Sequence, residues 1–93
     1  MQLPDLNPKF YQKSGSGIRF VATLAEADGV QFRCPCGQHR TNLPLLPRDP
    51  RGWTVVSGET LQNLTLSPSI LNYYPGLQPC WHGFIENGQI RTC

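Results

Sequence analysis

The sequence has few charged residues and no long apolar run. Charged residues make up 15% of its 93 residues, and the formal net charge is +2. Neither a highly charged disordered chain nor a surface for nucleic acid is therefore expected, because the eight Lys and Arg residues are scattered. No stretch reaches the roughly 20 apolar residues of a membrane-spanning helix, and the N-terminus has no secretory apolar segment. These absences predict a cytoplasmic protein without a membrane partner.

The common catalytic motifs are also missing from the sequence. It contains no HExxH, no phosphate-binding Walker loop, no GxSxG and no GxGxxG. The HxE and PCxxC signatures of the zinc deaminases are absent as well. We therefore predict no catalytic residue and favour a non-enzymatic protein at this stage.

Glycine and proline are abundant, with nine of each. Such a chain disfavours long helices and favours short strands joined by turns. The prediction is a mainly β fold (small α+β) of short antiparallel strands and hairpins, with one short helix. A domain this small is marginally stable without a staple, and a structural metal is one such staple. Residues 1–17 are predicted to be an N-terminal arm and flexible joint, and residues 18–93 a single domain.

Alternating hydrophobicity identifies the strand that leads into the first cysteines. Val30, Phe32 and Cys34 share one face of this strand, which predicts that they point into the core. The other predicted segments are a strand at 18–21, a short helix at 22–28, a loop at 41–52, a hairpin of strands 53–57 and 61–67, a turn or short connector at 67–71, and a loop at 72–79.

Asn87-Gly88 is the strongest hairpin signal in the sequence. A two-residue turn there sets the register of two C-terminal strands. The predicted pairs are Glu86 with Gln89, Ile85 with Ile90, Phe84 with Arg91, Gly83 with Thr92, and His82 with Cys93. Strand alternation also places Cys80 on the face of His82, unless a bulge breaks the parity.

Cysteine and histidine form two closely spaced pairs that are far apart in the chain. The pairs are Cys34/Cys36 and Cys80/His82. Residues two positions apart on one face of a strand have Cα atoms about 6.5–7 Å apart. Their side chains can therefore share a metal ion where the backbone bends. Zn²⁺ takes four such ligands in a tetrahedron, so these four residues are the predicted ligands of one structural zinc.

Two further residues remain alternatives for this zinc site. Cys93 is the first reserve because the hairpin register places it opposite His82. His39 follows the Cys34-to-Gly37 segment closely and could reach the metal, or donate to a ligand sulfur, through a turn.

Tyr73 and Tyr74 lie in a loop flanked by proline and are candidates for a partner surface. They or an exposed edge strand could also support a homodimer.

Four motifs resemble those of a family of small uncharacterised proteins from tailed phages and prophages, some of which are labelled ammonia monooxygenase. The matching segments are Phe32–Gly37, Gly52–Val55, Leu66–Ile70 and Cys80–Ile90. The resemblance covers roughly residues 30–93, but Gln38 and His39 replace the longer CPCGCG segment that is frequent in that family. It implies a small β-rich metal-binding module of a phage. Together with the missing secretory segment, this predicts a protein in the cytoplasm of a bacterial host.

Three hypotheses for function follow. The leading one is a phage or prophage accessory protein that binds an unidentified host or phage protein. The second is a small zinc- or thiol-dependent enzyme that uses His39 or Cys93 beside the metal. The third is a zinc module that binds nucleic acid, which the low and scattered charge disfavours.

Overall fold

The computed structural model describes residues 1–73 and 79–93 and is mainly β, which confirms the predicted fold class. Within these residues there is no α-helix, and the helical segments are 3-10 turns at Leu3–Leu6 and Leu24–Glu26. None of them is long or apolar enough to cross a membrane. The strands are β1 (Lys9–Ser14), β2 (Gly17–Val21), β3 (Gly29–Arg33), β4 (Arg40–Pro44), β5 (Thr54–Ser57), β6 (Thr65–Ser67), β7 (Ile70–Tyr73), β8 (Pro79–Glu86) and β9 (Gln89–Thr92).

In the described part of the chain, the strands form three antiparallel sheets around a common core. Their orders are β2-β1-β3-β4, β5-β6 and β7-β8-β9. The core contains Val30 and Phe32 from β3, Leu64 before β6, Ile70 from β7 and Ile85 from β8, all with no exposed surface. Burial of each such side chain contributes about 1.5–3 kcal/mol, so these residues hold the sheets together.

The first 17 residues lie within the fold, where the sequence predicts either a loosely packed tail or an extended arm on the body or on a partner. Strand β1 is flanked by β2 and β3, and Gly15-Ser16 form the turn between β1 and β2. Leu3 is completely buried, and its N–H donates to the carbonyl of Gly88 at 2.7 Å. The N-terminal segment is therefore joined to the C-terminal hairpin by backbone pairing and by packing.

Prediction and structure differ at three other segments. The helix expected at 22–28 is reduced to the 3-10 turn Leu24–Glu26, because Ala27 is already extended. Residues 40–44 form β4 along β3 instead of a loop, since proline at the end of the strand leaves the preceding ladder intact. Residues 70–73 form β7 beside β8. The hairpin expected from residues 53–67 is present as β5 and β6, with Leu64 and Leu66 buried.

The C-terminal hairpin has the predicted register. Strand β8 pairs with β9 at the four positions from Glu86–Gln89 to Gly83–Thr92, and the N–H of Cys93 donates to the carbonyl of His82 at 2.9 Å. Asn87 and Gly88 both have positive φ, at 47° and 73°. This is the turn geometry that the Asn-Gly dipeptide adopts most readily, because its twist matches that of the strands.

Gly88 should be sensitive to substitution, because its turn packs closely against the backbone before β6. A Cβ atom at this position would collide with the backbone carbonyl of Gln62, and the φ of 73° is unfavourable for alanine. We expect Gly88→Ala to lower the free energy of unfolding by about 2–4 kcal/mol in urea denaturation. Gly15→Ala is the matched control, because Gly15 has a similar φ of 60° in open space. Its expected cost is about 1–2 kcal/mol, from backbone strain without a collision, and equal costs for both variants would contradict the packing argument.

Candidate functional site

Three cysteines and one histidine meet where β3, β4 and β8 approach each other. Cys34 follows β3, and the turn after it is closed by the Gly37 N–H, which donates to the carbonyl of Cys34 at 2.8 Å. Gly37 has a φ of 83°, which a glycine adopts without strain. The N–H of Cys34 in turn donates to the carbonyl of His39 at 2.8 Å. This turn carries Cys36 and returns the chain into β4 with His39 beside the thiols.

The ligand atoms of Cys34, Cys36, His39 and Cys80 all lie within 4.8 Å of one another. The Sγ atoms of Cys34 and Cys80 are 3.6 Å apart, and His39 Nε2 is 3.2 Å from Cys80 Sγ. Zn–S bonds near 2.3 Å in a tetrahedron require sulfur atoms about 3.8 Å apart. The four residues could therefore hold a metal ion, and a Cys3His set is a zinc-type ligand set.

Surrounding groups orient these ligands. Asn72 Nδ2 donates to Cys34 Sγ at 3.3 Å in a buried environment, and the Gln38 N–H donates to Cys36 Sγ at 3.4 Å. His39 Nδ1 is 3.1 Å from the carbonyl oxygen of Arg40. Because a carbonyl can only accept, this bond requires the tautomer that carries its hydrogen on Nδ1. That bond leaves Nε2 as the acceptor nitrogen facing the thiols, as is usual for a metal-bound imidazole.

The thiols affect one another's protonation. Burial, together with hydrogen bonds and charge from Cys34 and Cys36, raises the pKa of Cys80 to about 12. Burial also acts to raise the pKa of Cys36, but hydrogen bonds from Gln38, Cys34, Cys80 and His39 outweigh it, so this pKa is lower than usual. Three thiolates this close repel each other, and a divalent cation between them removes that repulsion.

The structure does not bring His82 into this cluster, and the reason is a bulge in β8. Asn72 pairs with Trp81 whereas Tyr73 pairs with Pro79, so Cys80 is an extra residue without a partner. The bulge breaks the alternation that would place Cys80 and His82 on one face. Cys80 turns toward the thiols and His82 is exposed on the other face. Cys93, opposite His82, is also exposed and outside the cluster.

His82 instead contacts a serine. Its Nε2 is 3.2 Å from the Oγ of Ser69, the residue immediately before β7. Because Leu71 pairs with His82 across β7 and β8, Ser69 lies diagonally opposite His82 on the same outer face. Trp53 Nε1 donates to the carbonyl of Ser69 at 3.3 Å, and the next residue, Ile70, is fully buried. The backbone of Ser69 is thus held while its hydroxyl faces the imidazole.

This arrangement pairs a hydroxyl with a base, as nucleophilic catalysis requires. Sequence reasoning missed Ser69 because no GxSxG surrounds it and because His82 was assigned to the metal. The signal that could have found it is the motif Leu66–Ile70 together with Cys80–Ile90, which join in space. Of the candidate partner surface, Tyr73 is 56% exposed beside this face, and Tyr74 lies outside the described residues.

Comparison with known proteins then identifies one family. The family described as Bacterial ubiquitination-like system serine protease (BubE) matches residues 6–93, nearly the whole chain. No curated protein and no solved structure matches the sequence significantly. The assignment to a phage protein family was therefore wrong, and so was the hypothesis of a phage accessory protein. The chain that carries these motifs belongs to a serine protease family, which favours the enzyme alternative.

Proposed function

The chain belongs to the BubE family, and from this membership we propose that it is a serine peptidase with Ser69 as nucleophile and His82 as general base. The observation that carries the proposal is the 3.2 Å contact between Ser69 Oγ and His82 Nε2. The chain has two histidines, and His39 faces the thiols. His82 is therefore the histidine available to accept a proton from a serine.

Peptide hydrolysis at this pair follows the usual acyl-enzyme route. Ser69 transfers its hydroxyl proton to His82 Nε2 as Oγ attacks the carbonyl carbon of the scissile bond. His82 then protonates the departing amine nitrogen as the C–N bond breaks, leaving an ester on Ser69. A water molecule, deprotonated by His82, attacks this ester, and the proton returns to Ser69 as the acid product leaves.

The pair acts here without a carboxylate from the described part of the chain. Among residues 1–73 and 79–93, Ser69 is the side chain that hydrogen-bonds to His82. A carboxylate on the second ring nitrogen serves to orient the imidazole and stabilise its charge. Strand β8, which is paired on both sides by β7 and β9, orients His82 instead.

The family description supports a substrate class. Proteases of this family operate in bacterial ubiquitination-like systems, so we assign a protein component of such a system as the substrate. The exposed position of His82 on a sheet face suits a protein substrate, because the facing residue Leu71 is exposed as well. This assignment replaces the hypothesis of a module that binds a host or phage protein.

The thiol cluster is assigned a structural zinc rather than a catalytic one. Cys34, Cys36, His39 and Cys80 supply four ligands, and four protein ligands are typical of a closed structural site. Zn²⁺ bound there would neutralise the thiolates and join β3 to β8. The sulfur spacing and the Arg40 carbonyl behind His39 support this assignment.

Labelling with a fluorophosphonate tests the nucleophile directly. These reagents phosphonylate a serine hydroxyl that is activated by a neighbouring base. We expect one label per chain, located at Ser69 by peptide mass spectrometry, and its loss in Ser69→Ala. Ser67→Ala, two residues away and exposed, is the control that should label like the parent protein. A label on another serine, or none, would refute the assignment of Ser69.

A further inference from the structure

Strand β7, which follows Ser69, is the outer strand of its sheet in the described part of the chain. The sheet order is β7-β8-β9, so β7 pairs with β8 on one side. An edge strand presents unpaired N–H and C=O groups that can bind another extended chain. The hydrogen-bond pattern determines which residues present them.

The hydrogen bonds of the C-terminal hairpin determine which backbone groups of β8 face β7. The N–H of Cys93 donates to the carbonyl of His82, so the backbone groups of His82 face β9. Backbone groups in an antiparallel sheet alternate in direction from residue to residue. The groups of Gly83 and Trp81 therefore face β7.

The partners of these two residues on β7 are Ile70 and Asn72. The backbone groups of Ile70 and Asn72 thus bond to β8, and those of Leu71, between them, point to the free edge. In the described part of the chain, β8 is the strand that pairs with β7, so the alternation leaves the N–H and C=O of Leu71 without a partner strand. Its side chain is 44% exposed, so solvent reaches this position.

The indole of Trp53 prevents strand pairing at the Ser69 end of the β7 edge. The carbonyl of Ser69 also points away from β8, and there it accepts the indole N–H of Trp53 at 3.3 Å. Another strand can therefore pair at Leu71, but the indole blocks it from pairing at Ser69. A chain lying along β7 has to leave the edge beside Ser69, about 5 Å from its backbone.

We infer that the substrate binds as an extended peptide segment that adds a strand to the β7 edge at Leu71, next to Ser69. The inference rests on the proposed peptidase function. A paired N–H and C=O recognise a peptide backbone, and the end of pairing at Trp53 places the next peptide bond of the substrate near the nucleophile. Specificity for side chains then comes from the apolar surface of Leu71 and Tyr73, both exposed on this strand.

Leu71→Pro tests this mode, because proline removes the edge N–H without removing a bond to β8. The probe is a library of peptides from a digested bacterial proteome, with new termini counted by mass spectrometry. We expect at least a tenfold slower cleavage by Leu71→Pro, whereas fluorophosphonate still labels Ser69. Ile18→Pro is the matched control on β2, where the 14–17 turn directs the Ile18 backbone to a free edge, and it should cleave like the parent.

A second measurement does not depend on the folding of the proline variant. In Ser69→Ala protein, a peptide that the parent enzyme cleaves should slow hydrogen exchange at the Leu71 amide at least tenfold. Three results would overturn the inference and leave Ser69 as the nucleophile. They are cleavage by Leu71→Pro at the parent rate, a Leu71 amide that the peptide does not protect from exchange, and a parent enzyme that is labelled but cleaves no peptide. A dimer that dissociates in Leu71→Pro without a change in cleavage would also overturn it. Failure of the parent protein to label would instead refute the proposed function.

Discussion

Ser69→Ala should lower the rate of peptide cleavage by about 10³-fold or more, with the fold intact. The reason is that alanine removes the hydroxyl of the proposed nucleophile, and loss of a serine nucleophile leaves residual catalysis from binding alone. Ser69 is partly exposed and its hydroxyl bonds to an exposed imidazole, so the core is unaffected. The measurement is cleavage of the peptide library, with thermal melting as the check on folding.

The two histidines provide a matched pair of controls for this experiment. His82→Gln should lose cleavage to a similar extent and keep its metal content, because His82 lies outside the thiol cluster. His39→Gln should lose metal affinity, because His39 Nε2 faces Cys80 Sγ. Metal loss from His82→Gln with full cleavage would refute the role of His82 as general base and would show that it is a metal ligand, as its spacing from Cys80 suggested.

Removal of the metal should unfold the protein at ambient temperature. Zinc binding contributes on the order of 10 kcal/mol to folding in small zinc domains, and whole domains are stable by about 5–15 kcal/mol. The cluster joins Cys34 and Cys36, beside β3, to Cys80 on β8. Without the ion, the three thiols are crowded against one another, and the buried amide of Asn72 contacts a thiol and no metal-bound sulfur.

Cys80→Ser tests the metal with elemental analysis and far-ultraviolet circular dichroism. We expect less than one-tenth of the parent zinc content and loss of the cooperative melting transition. Cys93→Ser is the control, because Cys93 is exposed and outside the cluster. It should keep the zinc content and melting temperature of the parent. A Cys80→Ser protein with parent zinc content and melting temperature would eliminate the structural zinc.

Local sequence patterns predicted the elements that local chemistry determines. The Asn87-Gly88 turn set the register of β8 and β9, because few dipeptides adopt two positive φ angles. The alternation at Val30, Phe32 and Cys34 correctly identified a buried face. These features depend on turn geometry and burial, which the sequence expresses within a few residues.

The site depends on long-range pairing that no local pattern contains. Strand β7 pairs with β8, and only that pairing brings Ser69 to His82. The extra residue Cys80 interrupts an otherwise regular alternation, and parity alone therefore assigned His82 to the metal. Likewise the N-terminal residues resembled an arm because Pro4 and Pro8 break the pattern, although Leu3 and Leu6 are buried.

The unpaired residue in β8 also constrains how this chain can vary in length. Cys80 faces inward to the thiols and His82 faces outward to Ser69, and they are separated by a single tryptophan. A deletion or insertion of one residue between Pro79 and His82 would reverse one side chain, and the strand would then present its imidazole to the core or its thiol to solvent. The single residue between Cys80 and His82 is thus a requirement of the site in its own right, separate from the identities of the cysteine and the histidine.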